Sequence, residues 1–158
     1  MLVHPIEPTY DKDSEILILG SFPSVQSREV GFYYGHPKNR FWKVLAEVFE
    51  ENYPETREDK RAFLIRNKIA VWDVIASCEI KGSADSTIEN VVVNDLDPIF
   101  TVSNIQRVYV NGRKAHGLYQ KHLEEKTGRK ALYLPSTSPA NAAWGMDRLV
   151  EAWRVIRG

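Results

Sequence analysis

Short apolar runs alternate with amphipathic stretches along the whole chain. Ile16-Leu17-Ile18-Leu19 is a continuous apolar run closed by Gly20. That pattern suits a strand buried on both faces of a parallel sheet, where neither side of the pleat meets water. Ile69-Ala70-Val71-Trp72, Arg107-Val108-Tyr109-Val110 (closed by Gly112) and Ala131-Leu132-Tyr133-Leu134 repeat the signal. Between them the period lengthens to that of a helix. Phe41, Val44, Leu45, Val48 and Phe49 recur on one helical face from Arg40 onward,. Thr56-x-x-Asp59 opens a second helix that runs to about Asn67,. A short helix is expected after Asn94, a longer one from about Lys114 to Lys126, and a last one marked by Met146, Leu149, Val150, Trp153 and Ile156. Residues from about Ser77 to Ser86, with Gly82, read as a polar loop. The alternation predicts a single α/β domain over residues 1–158, a three-layer α/β/α sandwich around a mostly parallel four-stranded sheet,.

Composition narrows the class. With 43% hydrophobic and 27% charged residues the chain is composed like a globular domain, not a disordered one,. Lysine plus arginine and aspartate plus glutamate both number 21, so bulk positive charge does not drive any association with nucleic acid, although a local basic face remains open,. The single Cys78 excludes an internal disulfide and a cysteine-ligated zinc or iron–sulfur cluster,. No signal peptide is expected in Met1 to Pro5, and no apolar run approaches the roughly 18 residues of a membrane span,. A cytoplasmic setting, no membrane, no metal and no cofactor are the expectations, with a monomer as the working form.

In α/β sheets, ligands bind outside the carboxyl ends of the strands. Two loops at that edge draw attention. The first runs from Ser21 to about Lys38 and leads into GFYYGHPKNRFW, Gly31 to Trp42. It is too aromatic for an ordinary solvent loop, too rich in Gly and Pro for a regular element, and far longer than the ~2–6 residues usual between strand and helix. The second, Pro135 to Ala143, is small, polar and Pro-punctuated, and its hydroxyls and backbone N–H groups are suited to phosphate oxygens,. An aromatic face for a base, neutral donors for a sugar–phosphate backbone and a polar group to place water are the parts needed to work on a flipped nucleobase.

Gly20-Ser-Phe-Pro-Ser24 followed by Gly31-Phe-Tyr-Tyr-Gly-His-Pro-Lys-Asn-Arg-Phe-Trp42 resembles the first motif of the uracil-DNA glycosylase superfamily. Its Pro-x-Asn-Arg-Phe-Trp ending is similar to that of the mismatch-specific uracil/thymine-DNA glycosylases. Leu134-Pro-Ser-Thr-Ser-Pro-Ala-Asn141 falls at the second motif, the loop that enters the minor groove, and Asn111-Gly-Arg-Lys114 and Leu149-Val-Glu-Ala-Trp153 follow in order. The resemblance spans nearly the whole chain. It implies a DNA partner containing deaminated bases, and a fold of the uracil-DNA glycosylase kind.

The departures refine it. Phe22 stands where the mismatch-specific enzymes carry a water-positioning Asn, and Ser136 stands where a His often stabilises the leaving base. This pattern is similar to the hypoxanthine-DNA (deoxyinosine) glycosylase branch. The resemblance makes Asn39 the catalytic residue and assigns Gly20, Ser21, Phe22 and Tyr34 to the base. It assigns Ser136, Ser138, Pro139, Ala140, Asn141, Arg113 and Lys114 to the DNA. Plainer readings stand beside these. Asn39 precedes a helix and is also a natural N-cap; the two roles can coexist. Tyr33 and Tyr34 can pack the loop on the core, Phe22 can be core, and His36 can be a turn residue. Phe41 and Trp42 read as packing, and His4, His116 and His122 as surface residues. Glu29 is the only carboxylate in the first loop and a minor candidate for a general base.

Asn does not take a proton near neutral pH; it orients water by hydrogen bonds. The expected chemistry therefore leans on a base that leaves as a stabilised anion, as hypoxanthine and uracil can. Hydrolysis of the N-glycosidic bond without a lysine nucleophile would leave an abasic site. A mismatch-type uracil glycosylase, a weakly catalytic lesion-binding module and a nucleoside hydrolase are the alternatives.

Overall fold

The computed structural model describes residues 1–158. All four expected strands are present: β2 (Ile16–Gly20), β3 (Ile69–Asp73), β6 (Arg107–Asn111) and β7 (Ala131–Leu134) form one sheet in the order β3-β2-β6-β7. Every pairing in it is parallel, so all four carboxyl ends lie along one edge. The central β2 is buried at all five positions, and the pleat sends its residues to two cores,. Ile16 and Ile18 join Tyr109 on one face, under α2 (Phe41–Val48), α3 (Arg57–Arg66) and α7 (Met146–Trp153). Leu17 and Leu19 join Val108 and Val110 on the other, under α4 (Asp97–Val102) and α5 (Arg113–His122). Helices on both faces make the three-layer sandwich the alternation predicts.

A second sheet was not predicted. β1 (Leu2–Val3), β4 (Ile75–Glu79) and β5 (Glu89–Val93) pair antiparallel in the order β1-β4-β5. The expected polar loop at 77–86 thus begins as the end of β4, and the rest is a turn with one 3₁₀ segment, Asp85–Thr87. β5 buries none of its residues fully, so it shows no apolar period to read. The first long loop also holds a helix, α1 (Val25–Val30), in which only Ser27 is buried. Ser24 caps it by accepting from the Ser27 N–H, and Gly31 closes it in the left-handed region at φ 74°,. The helix expected over 114–126 divides into α5 and a short α6 (Glu124–Thr127). No helix is long and apolar enough to cross a membrane.

Candidate active site

A cavity of about 260 Å³ opens at the carboxyl edge of the parallel sheet. That is just below the ~300–1,000 Å³ usual for small-molecule sites, and so sized for a single planar ring system. Successive strands deliver its floor. Gly20 ends β2, Asp73 ends β3 beside it in register, and Asn111 ends β6. Glycine at position 20 is required by closeness: an added Cβ would collide with Asp73 Oδ1 and lie 3.0 Å from the Tyr34 hydroxyl. The two loops singled out in the sequence form the walls. Ser21, Phe22, Tyr34, His36 and Asn39 come from the first, and Ser136, Ser138, Pro139 and Ala140 from the second.

Asn39 is held from two sides. Its Oδ1 accepts from the Phe41 N–H at 2.9 Å, at the start of α2, and from Thr137 Oγ1 at 2.9 Å. The Phe41 N–H is a donor, so the atom facing it must be the amide oxygen, which fixes the orientation of the side chain. Thr137 is fully buried and is itself locked to Asn111: its Oγ1 accepts from Asn111 Nδ2 at 3.0 Å, and its N–H donates to Asn111 Oδ1 at 3.1 Å. Both lone pairs of Asn39 Oδ1 are therefore used. The free group of this cavity-lining side chain is the Nδ2 donor. Capping and site roles coexist, as the sequence allows.

Arg40, which the sequence reading left unassigned, ties the two motif loops together. Its guanidinium donates to the carbonyl oxygens of Trp144, Ser138 and Asn141, the latter two at 3.2 Å, and its N–H donates to Thr137 O at 3.0 Å. Arg40→Ala leaves these carbonyls without their charged partner. A loss of about 1.5–3 kcal/mol of folding stability is expected, since bonds to charged groups fall in that range. It should be read from denaturant midpoints, with weakened DNA binding in the same variant as the second loop loosens.

The aromatic residues divide between core and cavity. Tyr34 is half-buried and sits in the left-handed region at φ 53°, unusual for a bulky residue and a mark of a constrained site,. Its ring stacks on Phe41 with centroids 3.8 Å apart, so one face is already covered. Its hydroxyl is buried without a hydrogen-bond partner. Burial first, then the Asp73 carboxylate, push this phenol far up, against the neighbouring Asn111 amide, so it stays a protonated donor,. Tyr33 turns inward and donates to Glu7 O at 2.7 Å. Phe22 belongs to both environments: it packs with Ile75, Cys78 and Ile88 and also lines the cavity.

Several expectations are corrected. His4 is not a surface residue; its side chain is 3% exposed and its Nε2 lies 2.8 Å from Asp73 Oδ2, because β1 pairs with β4 and carries it under the cavity floor. His116 and His122 are half-buried. Glu29 is exposed and does not line the cavity. Glu29 is not the carboxylate of the site; Asp73 and Asp85, which lie outside the first loop, both line it. Asp85 reaches it from the turn between β4 and β5, and its Oδ1 accepts from Ser21 Oγ at 3.0 Å. In the second loop, the N–H groups of Thr137, Ser138, Ala140 and Asn141 are all bonded within the protein, so those four donors are already engaged. The Ser136 and Ser138 hydroxyls accept from the Ser138 and Ala140 N–H groups and keep their own protons free,. Asn141 turns its amide back onto Ser136 O. Arg113 lies outside the cavity, over the Tyr133 ring, and Lys114 is close enough to pull on Asp85.

A strand-edge cavity with a clamped Asn, a buried ring and a hydroxyl-bearing loop is the arrangement of a nucleobase-processing α/β enzyme. A profile of the Uracil DNA glycosylase superfamily matches residues 7–157, nearly the full chain. The chain belongs to that superfamily. It is 35% identical over 148 residues to a protein named Hypoxanthine DNA glycosylase from Methanosarcina acetivorans, covering 92% of each chain. A protein of the same name from Methanosarcina barkeri is 35% identical over 136 residues, 85% of each. Among solved structures, the solution NMR structure of a candidate Uracil DNA glycosylase from Methanosarcina acetivorans superposes with a TM-score of 0.83 at 33% identity, over 99% of this chain and 97% of that one. The protein is a DNA glycosylase with the fold of this superfamily.

Proposed function

We propose that the protein excises hypoxanthine from DNA, hydrolysing the N-glycosidic bond of the flipped nucleotide to leave an abasic site. It works as a cytoplasmic monomer without metal or cofactor. The observation that carries the reading is Asn39: its oxygen is occupied twice, which leaves Nδ2 as the free group of a side chain lining a base-sized cavity, in a chain whose relatives bear the name Hypoxanthine DNA glycosylase. In this reading Asn39 holds water as a donor, and Tyr34 and Phe22 bound the base. Gly20 and Ser21 admit its edge, and the Ser136 and Ser138 hydroxyls take a phosphate. Pro139, Ala140 and Asn141 shape the loop at the gap, while Arg113 and Lys114 meet the backbone at the rim. Asp73 supports the choice of base. A carboxylate accepts the ring N–H that hypoxanthine carries and repels the ring nitrogen acceptor that adenine offers in its place.

Oligonucleotides carrying one hypoxanthine, uracil or xanthine, followed by cleavage of the abasic product, test this. Hypoxanthine should be released fastest, with uracil slow or intact. Faster release of uracil would overturn the substrate assignment, and binding without any abasic product would point to a lesion-sensing module.

A further inference from the structure

Asn39 raises a chemical difficulty that its own geometry creates. A water held by the Nδ2 donor is oriented but not activated, because an N–H cannot take the proton that water must lose. Asn39 Oδ1 cannot take it either, with both lone pairs engaged by Phe41 and Thr137. An acceptor has to come from elsewhere on the cavity wall. Asp73 is the less available: its side chain is 5% exposed and Oδ2 is held by His4, which leaves only Oδ1 at the cavity floor, where the reading above gives it to the ring N–H of the base. Asp85 differs. Its Oδ1 accepts from Ser21, and its Oδ2 has no partner in the protein.

The turn that carries Asp85 is fastened in place. Arg28 Nη2 donates to Gly82 O at 2.7 Å, and the Val25 N–H donates to Ser83 Oγ at 2.9 Å, which tie the turn to α1. Thr87 Oγ1 closes it by accepting from the Lys81 N–H at 2.9 Å and donating to Ala84 O at 2.6 Å. A carboxylate on a loop secured at four points is positioned before substrate arrives, as a catalytic base must be.

We infer that Asp85 is the general base of the reaction, taking the proton of the water that Asn39 holds. The inference rests on the glycosylase reading above. The water oxygen bonds to C1′ while the C1′–N9 pair leaves with the base. The water proton passes to Asp85 Oδ2, and the departing anion is later protonated by solvent. Asp85 is exposed as a residue, but its carboxyl lines the cavity, and partial desolvation there raises it from its ordinary value, against the Ser21 hydroxyl. Asp73 from β3 adds to the rise, and Lys114 from α5 opposes it,. A base tuned upward is a stronger proton acceptor at neutral pH.

Asp85→Asn keeps the shape and the acceptor for Ser21 while removing basicity. Single-turnover release of hypoxanthine should slow by about 10²-fold or more, the usual contribution of a general base, with lesion affinity changed by less than about tenfold. The parent rate should fall as pH drops through the raised carboxyl pKa, and Asp85→Asn should lose that acid limb. Ser21→Ala, which removes a bond that lowers this carboxyl, should move the limb to higher pH; this arm stands even if Asp85→Asn does not fold. A limb that persists in Asp85→Asn and stays put in Ser21→Ala belongs to another group and overturns the assignment, as does an Asp85→Asn rate near the parent's. If the parent prefers uracil, the substrate reading falls and the same comparison is made on uracil. If the parent forms no abasic site on any lesion, both readings fall.

Discussion

Asn39→Asp should release hypoxanthine about 10²–10³-fold more slowly than the parent while melting close to it, the loss typical when one oriented polar group leaves an active site. The variant is informative because the two ends of the Asn39 amide do different jobs. Oδ1 caps α2 through the Phe41 N–H and receives the Thr137 hydroxyl, and an aspartate oxygen accepts both bonds equally well,. Nδ2 is the free group of this cavity-lining side chain, and only that end changes, from donor to acceptor. Asn39→Ala removes both ends. It should lose the activity and also about 0.5–2 kcal/mol of stability from the missing cap. Single-turnover rates, lesion-DNA affinities and thermal melts of the pair separate the roles. If Asn39→Asp keeps the parent rate, the Nδ2 donor takes no part in catalysis and Asn39 is a cap alone.

Much of this fold was legible because the parallel sheet is buried on both sides. β2 and β3 had to be continuous apolar runs, and Gly20 and Gly112 mark where β2 and β6 end. The second sheet escaped for the opposite reason. β1 is two residues long and exposed, and β5 lies with no residue fully buried, so neither has to show an apolar pattern. The α1 helix escaped likewise: a six-residue helix with one buried serine leaves no amphipathic trace, although Ser24 three residues before Ser27 was a capping signal.

The site divides in the same way. Residues close together in sequence, from Tyr34 to Asn39 and from Ser136 to Ala140, could be grouped because a loop keeps its own members together. Asp73, Asp85 and His4 are brought in by pairing between strands distant in sequence, and no local motif announces that; Asn111 stood in a motif, but its place beside Asn39 did not show there. The in-register match of Gly20 with Asp73 is a property of the sheet. One signal was available: in Ile-Ala-Val-Trp-Asp and Arg-Val-Tyr-Val-Asn, a polar residue closes a strand at the carboxyl edge, where α/β ligands bind,. Arg40 was hidden by its neighbours, since nothing local tells a bridging arginine from a solvated one.

Hypoxanthine opposite a mismatched base, or in single-stranded DNA, should be released about 10²-fold faster than in its most stable pair. Extruding a nucleotide costs a few kcal/mol of unstacking and unpairing, and each ~1.4 kcal/mol is tenfold. A glycosylase offsets that cost by filling the vacated space, and this loop has little to fill it with. Ala140 presents a single methyl, and its N–H is held by Ser138 Oγ at 3.1 Å. Asn141, the other residue at the tip, spends its amide on Ser136 O at 3.0 Å, and Arg40 pins its carbonyl. Neither side chain is free to take the place of a base. Opening is then limited by the duplex, and the weaker the pair, the faster the excision. Ala140→Leu supplies the missing bulk at an exposed position and should narrow the gap between paired and unpaired lesions, mainly by speeding the stable pairs. Single-turnover rates on hypoxanthine opposite each of the four bases and in single strands measure the spread. Rates equal across all of them in the parent would show that flipping does not limit the reaction, and that the small loop tip is not what sets its preference.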